Sequence, residues 1–101
     1  MEQRSFQSLR KNVFVGSLRF IVTDKNILFN AFDSCVGLFF KNPRKTIKTF
    51  LNPDEVFSID VNNRKDYFIS FQSIKKLAEF SPRPDAIDFL REVELIDVES
   101  A

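Results

Sequence analysis

The chain has no histidine and no tryptophan, and it has one cysteine, one tyrosine, one methionine and two glycines among its 101 residues. Without His, a serine–histidine triad, a thiolate–imidazole pair and a His/Cys zinc site are all excluded within the chain. A single Cys35 excludes an internal disulfide and with it a secreted disulfide framework. Asp33 lies two residues away, and no imidazole is present to activate the thiol, so an inert, half-buried cysteine is expected. There is no glycine-rich phosphate loop and no calcium-loop spacing of acids. Asp54-Glu55 reads as turn and strand entry rather than as an acid/base pair. No catalysis, cofactor or metal is expected. Apolar runs stop at about five residues, as in Val36-Gly37-Leu38-Phe39-Phe40, where a membrane span needs ~20. The polar start Met1-Glu2-Gln3-Arg4-Ser5 is unlike a signal peptide, so a reducing, cytoplasmic setting is expected.

What the chain does have is phenylalanine, 13 of them, in a sequence that is 44% hydrophobic and 29% charged. That composition fits one globular domain over residues 1–101, with Phe as the economical core filler. Charge is bipolar: residues 1–50 carry nine Lys and Arg against three acids, a net of +6, and residues 51–101 carry a net of −5. If the halves present separate surfaces, the first suits anionic ligands and the second basic ones.

Strand signals dominate. Leu18, Phe20 and Val22 alternate with Arg19, Ile21 and Thr23; Asp24-Lys25-Asn26 turns; Ile27 to Phe32 resumes, which makes a hairpin. Val36 to Phe40 and Thr46 to Leu51 flank an Asn42-Pro43 turn, Val56 to Val61 alternates, and Tyr67, Ile69 and Phe71 share a face that leads on to Ile74–Phe80. Gly16 and Gly37 fall where bends are useful. Ala86, Phe89, Leu90 and Val93 then follow helical spacing, predicting one helix over about 84–95 and a tail over 97–101. The expected core comprises Leu18, Phe20, Val22, Phe29, Phe57, Ile59, Ile69, Phe71, Leu77, Phe89, Leu90 and Val93.

This order, with its Gly16–Phe29 segment, Asn52–Ile59, Tyr67–Phe71, Lys76–Ser81 and the helix bearing Phe89-Leu90, resembles the pleckstrin-homology superfamily in the broad sense that includes GRAM and bacterial PH-like domains. The resemblance implies an α+β fold of about seven antiparallel strands in a bent two-sheet barrel capped by one C-terminal helix. It also implies anionic-headgroup candidates at Arg10, Lys11 and Arg19, with Ser17 where the family has a further base.

Three non-catalytic functions follow as expectations. The leading one is a protein-interaction or adaptor module, with Arg64, Lys65 and an outward-facing Phe68 as interface candidates. The second is peripheral membrane docking to anionic lipid or phosphoinositide, through the headgroup candidates or through an insertion loop of Phe39, Phe40, Lys41, Arg44 and Lys45. The third is single-stranded nucleic-acid binding by the basic-turn-aromatic segment 62–69. It is the least expected, because Tyr67 and Phe68 point to opposite sides of a strand.

Overall fold

In the computed structural model, residues 6–12, 17–23, 26–61 and 63–100 are described, with side chains for residues 17–23, 26–61 and 63–98. Gly16, offered as a bend, lies outside them. The chain begins with strands β1 (Phe6–Asn12), β2 (Ser17–Thr23) and β3 (Ile27–Asn30), followed by helices α1 (Ala31–Gly37) and α2 (Pro43–Phe50). A 3-10 turn (Pro53–Glu55) leads into β4 (Val56–Val61) and β5 (Arg64–Ile69). Helices α3 (Phe71–Ala78) and α4 (Ala86–Ser100) complete the chain.

The strands form one antiparallel sheet in the order β1-β2-β3-β5-β4. This corrects the expected fold. Among the described residues, a single open five-stranded sheet with four α-helices stands where a seven-stranded, two-sheet barrel with one helix was anticipated. Three of the expected strands are helices. The run around Val36–Phe40 belongs to α1 and its exit, Thr46–Leu51 to α2, and Ile74–Phe80 to α3 and its exit.

Each of these short helices begins at a side-chain cap. Asn30 Oδ1 accepts from the Asp33 N–H at 3.0 Å, Asn42 Oδ1 from Lys45 N–H at 3.2 Å, and Ser70 Oγ from Ser73 N–H at 3.3 Å. The cap satisfies a backbone donor left free in the first turn. Pro43, in the first turn of α2, gives up no hydrogen bond there. Ser70 thus ends β5, and Phe71, half-buried, opens α3 instead of extending a strand.

The main core lies between one face of the sheet and the helices. Leu18, Phe20, Ile27, Phe29 and Ile69 meet Ala31, Cys35, Leu38, Ile74, Leu77, Phe89, Val93 and Ile96. Ile21, Leu28, Ile59 and Phe68 form a second buried cluster on the opposite face. Of the expected core, Phe57 is the clear exception: it shares the face of Ile59 but stays 43% exposed on edge strand β4. Gly37 provides no strand bend. It ends α1 against the ring of Phe89, where a Cβ would overlap the ring atoms. Helix α4 starts at Ala86, two residues into the expected 84–95 segment, and continues to Ser100, where a tail was expected.

Candidate functional site

Helix α2 contains no acid, and Arg44, Lys45 and Lys48 along it, with Lys41 just before it, are all exposed. None of the four forms an ion pair among the described residues. Arg44 and Lys48 are four residues apart and so share one flank of the helix, with Ile47 beside them. That flank borders a groove of about 510 Å³. Its apolar lining is Phe32 from α1, Ile47 from α2, Leu51 and Pro53 from the connection, Val56 from β4 and Tyr67 from β5; Arg44, Lys48 and Asn52 supply the polar groups.

Sheet register explains two of these positions. Val56 pairs with Ile69 and Ser58 with Tyr67, so Val56 and Tyr67 lie on the helix-facing side of the sheet. Tyr67 remains 40% exposed there and meets Phe32 edge-to-face, with ring centroids 6.2 Å apart. The connecting wall is held from behind. Glu55 accepts from Asn52 N–H at 2.8 Å and from Lys76 Nζ at 3.1 Å, tying the 3-10 turn to α3. The Asn52 N–H first, and then Lys76, hold the Glu55 carboxyl below the usual carboxylate range.

The anticipated sites fare differently. Arg19 does not present a free guanidinium. Its Nε and Nη2 donate to the Asp33 carboxylate at 2.8 and 3.0 Å, its backbone N–H donates to the same carboxylate at 3.0 Å, and Asp66 lies 4.0 Å away. The bond to Asp33 raises the Arg19 pKa further. Arg10 stands opposite Arg19 and Lys11 opposite Leu18 in the β1–β2 register; their side chains lie outside the described set. Replacing Asp33 with Ala is expected to lower stability by about 1–2 kcal/mol, the low side for charged hydrogen bonds because the guanidinium is partly wet. A urea melt checks this, and a change within error would show that the pair is solvated.

The insertion loop is replaced by a helix exit. Phe39 N–H donates to Val36 O and Phe40 N–H to Cys35 O, both at 3.0 Å, the bond pair of a Schellman turn, with Phe39 at φ 69° where Gly is usual. Both rings are half-buried. Phe39 lies under the Arg83 guanidinium at 4.4 Å, and Phe40 neighbours Phe50, which stacks on Phe80 at 4.4 Å. Phe39 and Phe40 are therefore engaged by Arg83 and Phe50 and do not form the projecting apolar tip expected beside Lys41, Arg44 and Lys45.

Arg64 and Lys65 are exposed at the start of β5, next to Asn63, whose φ is 66°. Phe68, expected outside, is 3% exposed inside the second cluster, and Tyr67 is the aromatic of β5 that reaches solvent. The interface role expected of an outward-facing Phe68 is therefore corrected: its ring is buried. Of the groove residues only Arg44 was a site candidate from the sequence; Lys48, Phe32, Ile47 and Tyr67 are among those it missed. For Lys48 and Ile47 the signal was the Asn42-Pro43 helix start, which puts Arg44 and Lys48 in phase; Phe32 and Tyr67 had none.

Cys35 is fully buried, and burial alone pushes its thiol up to about 12, so it offers no thiolate near neutral pH. Among the described residues no group of three Cys, Asp or Glu is placed to hold a metal ion, and no helix is long and apolar enough to cross a membrane. Against protein-family models, curated proteins and solved structures, the chain finds no match.

Proposed function

We propose that this chain is a non-catalytic protein-interaction module. Its working surface is the groove beside α2, and its partner is a protein segment that places a bulky apolar side chain next to carboxylates. One observation carries this reading: Arg44 and Lys48, free of ion pairs among the described residues, stand at an apolar groove with no acid in its lining. Apolar area supplies contact energy when Phe32, Ile47, Leu51 and Tyr67 are covered. The two cations set orientation and reject basic segments.

The test is selection from a displayed random-peptide library. Enriched peptides are expected to carry Asp or Glu within a turn of an aromatic or aliphatic anchor. The double variant Arg44→Glu/Lys48→Glu is expected to weaken the best peptide by roughly a hundredfold, and Tyr67→Ala by roughly tenfold, with fold retained. Enrichment without an acidic bias would remove the reading. Vesicles of phosphatidylserine provide the membrane comparison. Binding to them that the charge variant abolishes and Tyr67→Ala leaves intact would reassign the surface to anionic lipid.

A further inference from the structure

Helix α4 commits one side to the core and leaves the other bare. Ala86, Phe89, Val93 and Ile96 are buried, while Ile87, Leu95 and Val98 are 48, 57 and 68% exposed. Arg91 and Glu94 sit between these apolar residues, both exposed and neither in an ion pair among the described residues. At 100° per residue, Ile87, Arg91, Glu94 and Val98 fall within a stripe about 60° wide, and Leu95 borders it. A solvated helix face does not need large apolar residues at this spacing.

The stripe is complementary to itself in one direction only. Set a second α4 antiparallel, with the twofold axis passing between residues 92 and 93. Ile87 then faces Val98 of the other copy, Arg91 faces Glu94, and symmetry repeats both contacts. A parallel arrangement puts Arg91 on Arg91 and Glu94 on Glu94. We infer that α4 is a homodimer interface in which two copies of this chain pair antiparallel through Ile87, Arg91, Glu94, Leu95 and Val98. The contact is isologous and therefore closes as a dimer. One helix pair covers less than a standard interface, so association is weak and concentration-dependent. The inference does not depend on the α2 groove, which involves none of these residues.

Sedimentation velocity of the full chain tests it, from about 5 to about 500 µM at low salt, because mass action sets the dimer fraction. The wild type is expected to shift from monomer to dimer across that range, and less so when salt is added. Arg91→Glu alone and Glu94→Arg alone are each expected to self-associate roughly tenfold or more weakly. An equimolar mixture of these two variants is expected to recover the dimer, since carboxylates at 91 and 94 of one copy then face guanidinium groups at 94 and 91 of the other. Val98→Glu is expected to stay monomeric. All these positions are exposed, and circular dichroism checks that each variant folds. A wild type that is monomeric throughout, single charge variants that dimerise as the wild type does, or a mixture that fails to recover each overturns the inference.

Discussion

Phe89→Ala is expected to lower unfolding free energy by about 3–5 kcal/mol, the range for truncating a buried aromatic. The ring is fully buried and presses on Gly37 so closely that the glycine has no room for a Cβ. It is therefore the point at which α4 locks to the end of α1. The neighbour supplies a stricter check. Gly37→Ala forces overlap with the ring and should cost about 1–3 kcal/mol in the wild type. In the Phe89→Ala background the same methyl enters the vacated space, and Ala favours helix over Gly, so the cost should vanish or reverse. Urea melts of the four proteins measure the coupling. Additive costs would mean that the ring and the glycine do not share one contact.

Phe68→Ala is the second large effect, again about 3–5 kcal/mol. The side chain is 3% exposed and is the large ring of the cluster formed with Ile21, Leu28 and Ile59. Tyr67→Ala, one residue away, should cost less than about 1 kcal/mol, because the residue is 40% exposed and meets Phe32 at the edge of the groove. The contrast is sharp because adjacent strand residues face opposite sides. Thermal melts of both variants would settle the ordering, and a Phe68→Ala protein as stable as Tyr67→Ala would deny that the second face of the sheet is a core.

These two residues also show where sequence reading stops. Alternation in Tyr67–Ile69 was legible, but choosing the inward face assumes that only one face is apolar. Here both faces carry buried residues, Ile69 on one and Phe68 on the other, so alternation does not decide between them. The β2–β3 hairpin was legible from its turn and alternation, and α4 from Ala86, Phe89 and Val93. Helices α1, α2 and α3 were not. Each has seven or eight residues, too short to be stable alone, and each carries both an aromatic and a β-branched residue, types that also suit strands. The decisive local signals were the caps Asn30, Asn42 and Ser70, which can equally be read as turn residues. For the groove, the basic cluster at Lys41, Arg44 and Lys45 was visible, but its apolar floor was not. Phe32 and Tyr67 come together only through the pairing of β3 with β5.

That pairing has a consequence for how the domain comes apart and assembles. β1–β2–β3 and β4–β5 are each local units with short connections, and the sheet is continuous between them only through Phe29↔Ile69 and Asn30↔Phe68. Bringing those partners together closes a loop of about 40 residues, an entropy cost of about 3 kcal/mol beyond that of the hairpins themselves. One of the two residues on the β3 side, Asn30, also caps α1 and carries a buried Nδ2 without a partner. With two residue pairs the seam is the shortest line in the described backbone ladder, and it is expected to form after the hairpins. Opening of this pairing alone is expected to separate Phe32 from Tyr67, and with them the groove they line, while both hairpins stay paired.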